Sequence, residues 1–405
     1  MKFYPLVLFL LLFASDPADA KAKKIDDYHW TGVERVVAIG DLHGDYEQYI
    51  NVMQSAGLLD KRGKWSGGKT HLVQTGDITD RGDDSRKIID HLVKLVKQAK
   101  KKGGFIHLLI GNHESMNVVG DLRYVTPGEF NAFTTRSSAR YQNLQWENQV
   151  EWMRVNTVDF ENLDLETYRK EWEQTVPLGW VEHRLAWALT GEYGGWVKDL
   201  PVAIQVNDTI FLHGGISARY CEFSLQSLTE QVIAAMETYD PTVTTIVNDP
   251  LGPLWYRGLA REKEEDVFSQ TLDNILNRYG AKRIVVGHTP TGGVVWPRFD
   301  QRVVVNDTGI AAYYGSHKGV LELTAEGAMT IYGDQKIPLP VKNSGREAYL
   351  RAVIEADSNN AQLKSRLARM LAPPVEAGGE APAEEQIDDI QPSADPVISV
   401  PGTCQ

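Results

Sequence analysis

The chain has 405 residues, of which 42% are hydrophobic and 24% are charged, and its formal net charge is -12 at pH 7. These proportions are those of an ordinary globular protein, and they exclude a fibrous or a wholly disordered chain. The negative charge repels nucleic acid, and the one basic cluster, residues 97–102, ends a predicted helix whose dipole it complements. We therefore expect one large catalytic domain with an insertion and tails, and no nucleic-acid partner.

The N-terminus has the pattern of an export signal. An apolar run over residues 3–14 follows Lys2 and precedes Ala18-Asp19-Ala20, the small-x-small pattern that signal peptidases cut. The run is too short to span a bilayer. We therefore predict that residues 1–20 are a signal peptide and that the mature chain is periplasmic or extracellular, with no stable membrane insertion after cleavage.

Six apolar runs each stop at a polar cluster, which predicts six buried strands. The runs are residues 36–39, 72–73, 105–110, 210–212, 284–286 and 303–305. Helical patterns over residues 46–59 and 85–102 lie between the first three runs. This alternation predicts an α/β core, in which ligand sites lie beyond the carboxyl ends of the strands.

The stretch from about residue 116 to 201 has a different composition, with six tryptophans among many charged residues. Residues 168–175 and 180–189 have helix-like spacing of their apolar side chains. We predict a helical cap insertion with its own aromatic core, inside a catalytic domain that spans residues 21–345. A cap placed between two ligand segments can also shape the substrate cleft.

The C-terminal part is predicted to be a helix over residues 346–372 and then an acidic tail. Residues 373–405 hold seven acidic and no basic residues among Pro, Ala, Gly and Ser, a composition that cannot bury enough apolar surface to fold alone. One of the two cysteines, Cys404, lies in this tail, and the other is Cys221. We therefore expect a disordered tail and no structural disulfide framework.

Side chains that can bind metal follow the first two predicted strands. Asp41 and His43 are two residues apart, so that one turn can direct both at a single ion, although Asp41 also fits a helix N-cap. The segment 76–82 contains two aspartates and an arginine, with glycines that permit a sharp backbone turn. A charged loop with a local ion pair is the alternative for this segment.

Three more polar clusters complete the set. Asn112 and His113 follow the longest apolar run, where a core offers them no partners. His213 and His288 follow later runs, and each alone also fits a buried core histidine. Together with the earlier carboxylates these donors suffice for two cations, and mixed imidazole and carboxylate sets suit Mn, Fe or Zn better than Ca. An aspartate such as Asp77 can bridge two ions about 3.5–4 Å apart, the spacing that two-metal hydrolysis uses.

The order of these motifs resembles the phosphoprotein phosphatase branch of the calcineurin-like metallophosphoesterases. The motifs that carry the resemblance are residues 40–44, 76–82, 111–114, 213–215 and 287–289. The longer stretch 111–126 is similar to the Shewanella-like protein phosphatase subgroup. The resemblance covers about residues 36–309, and it implies a sandwich of two mixed β-sheets flanked by helices.

The resemblance implies a role for each motif residue. It implies that the two divalent metal ions are held by Asp41, His43, Asp77, Asn112, His213 and His288, with Asp77 as the bridge. His113 is then the general acid that protonates the leaving oxygen, and Asp80 orients and charges its imidazole.

The same resemblance implies the phosphate-binding groups. Arg81 and Asn112 are expected to bind the phosphoryl oxygens. A second arginine is expected before the last histidine, and Arg257 is the candidate, with an ordinary surface residue as the alternative. Guanidinium groups match phosphate oxygens bidentately and stabilise the charge that builds on them.

The sequence departs from the better-known Ser/Thr members at three places. Residues 109–110 are Leu-Ile where an arginine is usual, the loop between Asn112 and His213 is longer, and residues 306–309 replace an aromatic-containing loop. These changes leave the metal set intact, but they bear on the choice of substrate.

We therefore predict a metal-dependent phosphoprotein phosphatase that hydrolyses phosphate monoesters by direct attack of a metal-bridging hydroxide, with a slight preference for phosphotyrosine. A small-molecule phosphohydrolase, for example of dinucleoside polyphosphates, is the nearest alternative, and a deep pocket with base-stacking aromatics would favour it. A catalytically silent phosphate-binding scaffold is another, although such a protein would be free to lose His113 or Asp80. The sequence does not indicate the oligomeric state.

Overall fold

The computed structural model describes residues 23–24, 26–372 and 404. The predicted signal peptide lies outside these residues, and so does the predicted acidic tail apart from Cys404. Within the described part of the chain, no helix combines the length and the apolar character that crossing a membrane requires.

Thirteen strands of the described residues form two mixed β-sheets. The strands are β1 (Lys23–Lys24), β2 (His29–Thr31), β3 (Arg35–Ile39), β4 (His71–Gln74), β5 (Phe105–Leu108), β6 (Ala203–Val206), β7 (Thr209–Leu212), β8 (Arg283–Val286), β9 (Trp296–Arg298), β10 (Val303–Val305), β11 (Val320–Thr324), β12 (Gly327–Tyr332) and β13 (Gln335–Pro338). One sheet has the order β1-β2-β6-β7-β8-β10-β9, and the other has the order β13-β12-β11-β3-β4-β5. The predicted sandwich of two mixed sheets is confirmed.

All six strands predicted from the apolar runs are present, and they are the strands that position the site. In one sheet β3, β4 and β5 are parallel neighbours, and in the other β7, β8 and β10 are. The side chains of these strands are almost entirely buried, and strands buried on both faces have continuous apolar sequences. Because parallel strands of one sheet end at the same edge, the polar clusters that follow the strands of each sheet lie together there.

Thirteen α-helices of the described residues surround the sheets. They are α1 (Tyr46–Ser55), α2 (Ser85–Lys101), α3 (Asn112–Val119), α4 (Pro127–Asn131), α5 (Ser138–Asn156), α6 (Leu165–Thr175), α7 (Trp180–Trp187), α8 (Glu192–Lys198), α9 (Leu225–Glu237), α10 (Gly258–Arg261), α11 (Asp266–Tyr279), α12 (Arg346–Ala356) and α13 (Ala361–Leu371). The α2 helix buries Ile88, Ile89 and Leu92 in the same apolar cluster as Leu72 of β4. The α1 helix begins at Asp45, whose side chain accepts a hydrogen bond from the Gln48 N–H.

The region from 116 to 201 contains the end of α3 and then helices α4 to α8. Aromatic side chains pack between these helices, with the rings of Trp146 and Trp172 5.3 Å apart and those of Trp187 and Tyr193 stacked at 5.5 Å. The α3 helix itself belongs to the core, since it carries Asn112 and His113. The helical segment therefore begins directly behind two predicted site residues.

The C-terminal prediction of one helix over residues 346–372 is wrong, because the structure has two helices there. The break falls in the polar stretch 357–360, where Asn360 caps α13 by accepting a hydrogen bond from the Leu363 N–H. Asn and Asp side chains compete for backbone N–H groups in this way, and so they favour caps over helix interiors.

The sequence favoured no disulfide framework and left open whether the two cysteines pair; in the structure Cys221 and Cys404 form a disulfide bond. Both cysteines are buried in the apolar cluster that contains Ile210, Leu212 and Leu225. A single pair separated by 183 residues has no spacing signature. Only the folded chain brings the two sulfur atoms together.

Candidate active site

The polar clusters after the parallel strands of the two sheets converge, and glycine makes their close approach possible. A Cβ atom on Gly40 would lie 2.4 Å from the carbonyl oxygen of Asn306, and one on Gly111 would lie 2.1 Å from Oδ1 of Asp77. Both distances are far below van der Waals contact. The glycines that precede Asp41 and Asn112 in the motifs are therefore required by the meeting of the loops.

Five of the ten predicted site residues adopt the left-handed backbone conformation that non-glycine residues rarely take. They are His43, Asp77, Asp80, Arg81 and His288, with φ between 43° and 70°. Each such residue costs about 1–2 kcal/mol, and it persists only where the surroundings over-determine the backbone. The concentration of these residues at one edge of the sheets marks that edge as a functional site.

Glu114, to which the sequence analysis assigned no role, fixes part of this strained backbone. Its buried carboxylate accepts hydrogen bonds from the N–H groups of Asp77 at 2.9 Å, Ile78 at 2.8 Å and Gly111 at 2.8 Å. The Asp77 carboxylate in turn accepts from the His113 N–H at 3.0 Å. Glu114 thereby joins the loops after β4 and β5.

His213 shows why the cluster calls for a cation. Its Nδ1–H donates to the carbonyl oxygen of Thr75 at 2.9 Å, so in the neutral ring the Nε2 lone pair points into the site. That Nε2 lies 2.8 Å from Oδ1 of Asn112, 3.2 Å from Oδ2 of Asp77 and 3.1 Å from Nδ1 of His288. Electron pairs of these groups face one another, and a positive ion between them removes the repulsion.

His43 faces the Asp77 carboxylate, and Asp41 contacts the backbone of His288. The His43 Nδ1–H donates to the Thr79 carbonyl at 3.0 Å, and its Nε2 is 3.9 Å from Asp77 Oδ2. Burial and the neighbouring His113 lower the pKa of His43 to about 3, so the ring is neutral and free to act as a ligand. Burial and the nearby carboxylates of Asp307 and Asp77 raise the pKa of Asp41 well above its usual range, and its carboxylate accepts from the His288 N–H at 3.0 Å.

The donor atoms form two overlapping groups that suit a pair of metal ions. One group is His43, Asp77 and His113, of which His113, with its raised pKa, suits a proton donor rather than a ligand, and the other is Asp77, His213 and His288; within each group the candidate atoms lie within 4.8 Å of one another. Asp77 belongs to both groups, as a bridging ligand would. The Nε2 atom of His288 is buried and has no hydrogen-bond partner among the described residues. Buried imidazole and carboxylate donors of this kind fit divalent cations.

His113 and Asp80 form a buried pair beside this centre. The His113 Nδ1–H donates to Oδ2 of Asp80 at 2.6 Å, and the His113 Nε2 faces Oδ2 of Asp77 at 3.8 Å. Burial lowers the pKa of His113, but the charge of Asp77 and the hydrogen bond to Asp80 outweigh it and raise that pKa to about 9. The imidazole is therefore protonated at neutral pH. Asn117, also missed by the sequence analysis, donates to the other oxygen of Asp80 at 2.9 Å.

Arg81 lies between two tyrosine rings at the mouth of the site. Its guanidinium carbon is 4.0 Å from the ring centre of Tyr124 and 4.7 Å from that of Tyr313, whose hydroxyl accepts from Arg81 Nη1 at 2.8 Å. Tyr124 comes from the helical insertion, so this region contributes directly to the cleft. Tyr313 follows the segment 306–309 by four residues, so aromatic side chains return just beyond the point where the sequence departs from the better-known family members.

Arg257 lies beside the last histidine, as the sequence predicted. Its Nη1 donates to the carbonyl oxygen of His288 and is 3.3 Å from the Thr289 hydroxyl. Its charge opposes the rise that burial causes in the pKa values of Asp41 and Asp307, which places it within the field of the carboxylates. Asp307 is a further buried carboxylate that the sequence analysis did not assign, and burial together with Asp77 raises its pKa to about 6.

Comparison with known proteins agrees with this geometry. Residues 34–292 match the family described as Calcineurin-like phosphoesterase. The chain is 31% identical to an uncharacterized protein of Schizosaccharomyces pombe, over 71% of this chain and 77% of that protein. It is 29% identical to Shewanella-like protein phosphatase 2 of Arabidopsis thaliana, over 74% of this chain and 77% of that protein.

A solved structure gives the same result in three dimensions. The cold-active protein-tyrosine phosphatase of a psychrophilic Shewanella species superposes with a TM-score of 0.58 and 27% identity, covering 78% of this chain and 83% of that one. The chain therefore belongs to the calcineurin-like phosphoesterase family, and it is a metal-dependent phosphatase that resembles the Shewanella-like protein phosphatases.

Proposed function

We propose that the chain dephosphorylates phosphoproteins and prefers phosphotyrosine. The observation that carries this proposal is the pair His113 and Asp80, in which a protonated imidazole faces the bridging carboxylate Asp77. This is the arrangement that a general acid needs in order to protonate a leaving oxygen. The proposal is also supported by relatives and by a structural neighbour whose names describe protein phosphatases, one of them a protein-tyrosine phosphatase.

The residues of the site have separate roles in phosphate ester hydrolysis. Asp41, His43, Asp77, Asn112, His213 and His288 would hold two divalent ions, which would supply an activated water and neutralise charge on the phosphoryl group. Arg81, Asn112 and Arg257 bind and orient the phosphoryl oxygens. His113 delivers its proton from Nε2 to the leaving oxygen, and Asp80 keeps the ring oriented through Nδ1.

Three features support a preference for phosphotyrosine over phosphoserine. The site residues Asp41, His43 and His113 are at most 3% exposed, so the phosphate must reach a recessed centre, and a tyrosyl side chain carries its phosphate farther from the peptide backbone than a seryl one does. The rings of Tyr124 and Tyr313 flank Arg81 at the entrance, where they can pack against a phenyl ring. The phenol of tyrosine, with a pKa of about 10, also matches a proton donor with a pKa of about 9.

We further propose Mn, Fe or Zn as the native ions and an exported location. The mixed imidazole, carboxylate and amide set supports these ions over Ca and Mg, which prefer oxygen-only ligands. The disulfide between Cys221 and Cys404 supports an oxidising compartment, as the predicted signal peptide does. The net charge of -12 supports a protein or peptide partner over nucleic acid.

The proposal is tested by phosphate release from phosphotyrosine, phosphoserine and phosphothreonine peptides of one sequence and from a dinucleoside polyphosphate. The protein is stripped with chelator and assayed with and without added Mn. We expect Mn to restore activity, with kcat/KM highest on the phosphotyrosine peptide. Activity on the nucleotide alone would identify a small-molecule phosphohydrolase, and silence on every substrate would leave a phosphate-binding scaffold.

A further inference from the structure

The dipeptide Asp80-Arg81 carries both the carboxylate that orients His113 and the phosphate-binding guanidinium, and its backbone is strained. Both residues are left-handed, with φ of 70° and 66°. Non-glycine residues hold this conformation only where neighbouring groups fix them. The groups that fix this dipeptide therefore control the geometry of the proton donor.

The two N–H groups of the dipeptide are held from different directions. The Arg81 N–H donates to the carbonyl oxygen of Tyr124 at 3.0 Å, which ties Arg81 to the helical insertion. The Asp80 N–H donates to the hydroxyl oxygen of Ser85 at 3.2 Å. Ser85 is the first residue of α2 and is completely buried. Its hydroxyl must therefore be satisfied within the protein.

The partner of Ser85 is Glu129, in α4 of the insertion. Glu129 is 1% exposed, and the hydroxyl and the backbone N–H of Ser85 lie close enough to its carboxyl group to lower its pKa, against the larger effect of burial. The Ser85 hydroxyl oxygen accepts from the Asp80 N–H, so Ser85 lies between Glu129 and the backbone of Asp80. The Asp80 carboxylate in turn holds His113.

The carboxyl group of Glu129 is neutral in this position. Burial, together with the nearby Asp80 and Asp83, raises the pKa of Glu129 to about 8. Its Oε2 atom is buried and has no hydrogen-bond partner among the described residues, as suits a group that carries no charge. A neutral acid beside Asp80 leaves the negative charge of Asp80 to His113 alone.

We propose that Glu129 is a positioning residue for the general acid, which it holds in place through Ser85 and the backbone of Asp80. This inference rests on the proposed function, since it concerns the proton donor of the same reaction. Through Glu129 the helical insertion would help to position the general acid, in addition to supplying Tyr124 beside Arg81. Glu129 itself touches neither the phosphate nor the metal ligands in this scheme.

The test compares Glu129→Leu, Glu129→Gln and Ser85→Ala on two substrates. One is a phosphotyrosine peptide, whose leaving oxygen needs a proton, and the other is a nitrophenyl phosphate, whose acidic leaving group does not. We expect Glu129→Leu and Ser85→Ala to lower kcat on the peptide about 10- to 100-fold, a part of what a general acid contributes. KM and turnover of the nitrophenyl ester should stay within about threefold of the wild type, and Glu129→Gln, which keeps the acceptor oxygen, should rescue peptide turnover.

A double variant and a packing control separate this role from plain stabilisation of the insertion. Glu129→Leu combined with Ser85→Ala should cost no more than either change alone, because both break the same series of contacts. Phe130→Leu, in the neighbouring position of α4, loosens packing without touching Ser85, and it should lower the melting temperature while leaving the substrate difference unchanged.

Each contrary result has a distinct meaning. Equal losses on both substrates, or a substrate difference in Phe130→Leu like that in Glu129→Leu, would overturn the positioning role. Wild-type turnover in Ser85→Ala would also overturn it, and this small substitution keeps the test decisive if Glu129→Leu does not fold. If the wild-type protein hydrolyses neither ester, the proposed function fails, whatever the variants do.

Discussion

His113 and Asp80 lie 33 residues apart in the sequence, and their side chains are joined by a 2.6 Å hydrogen bond in the folded protein. The bond links a helix that follows β5 to a loop that follows β4, two neighbouring parallel strands. Because the Asp80 carboxylate is buried and accepts from Asn117 as well, it has no freedom to turn away from the imidazole. The proton donor is therefore fixed before a substrate arrives.

His113→Asn should lower kcat on a phosphotyrosine peptide about 10²- to 10⁴-fold while metal binding is retained, because the amide cannot deliver a proton. Metal content by elemental analysis and steady-state kinetics check this prediction. Asp77→Asn is the contrasting variant, and it should lose metal and activity together, since it removes the carboxylate common to both donor groups. Unchanged turnover in His113→Asn would contradict the assignment of the general acid.

Activity should fall on the alkaline side of about pH 9, because the pKa of His113 is raised to about 9 and deprotonation removes the donor. The same raised pKa stabilises the fold below about pH 6.5, the ordinary histidine value, and this stabilisation is lost as the pH rises through 9. In Asp80→Asn the alkaline limit of kcat should move down by about one pH unit or more. A pH profile of both proteins at saturating substrate measures the shift; coincident profiles would show that Asp80 does not set the pKa.

Reduction of the disulfide should destabilise the protein by about 2–5 kcal/mol, because the Cys221–Cys404 bond closes a long loop in the unfolded chain. Urea denaturation with and without reductant measures this effect. Cys404→Ala is the matched control, which should begin at the lower stability and respond no further to reductant. Equal stability of the wild-type protein under both conditions would show that the bond contributes nothing.

Acid should destabilise the helical insertion through His183. This histidine is buried between Phe130 and Phe133, neither ring nitrogen has a hydrogen-bond partner among the described residues, and burial lowers its pKa to about 3. The unfolded chain takes up the proton below about pH 6.5 and the folded chain does not, so stability is full above that value and declines as the pH falls toward 3.

His183→Leu removes this titration. Between pH 7 and pH 5 it should reduce the loss of unfolding free energy by about 2 kcal/mol relative to the wild type, as measured by thermal and urea denaturation. The comparison between the two proteins cancels the contribution of the other buried histidines. If both proteins lose the same stability over this range, His183 already has a partner for its proton.

Local patterns in the sequence were sufficient for the core of the fold. Each strand that ends at the site is a short apolar run followed by glycine or a polar residue, and such a run is buried wherever it lies in the chain. The motif residues Asp41, Asp77, Asn112, His213 and His288 lie within four residues after these runs. Since parallel strands of one sheet end at a common edge, the strand pattern explains the clustering within each sheet, and the fold decides how the two sheets meet.

Contacts between distant segments were decided by the tertiary structure. Tyr313 reaches Arg81 across 232 residues, and Cys404 reaches Cys221 across 183, and neither contact leaves a periodic or spacing signal in the sequence. In the sequence Glu129 is an ordinary acidic residue in a short helix. Burial in the folded protein, beside Ser85 and Asp80, raises its pKa to about 8 and makes it neutral. The sequence by itself determined which chemistry the site carries, because metal and phosphate ligands must be particular side chains. The tertiary structure decided how that chemistry is held in place, because burial and charge depend on residues that only folding makes neighbours.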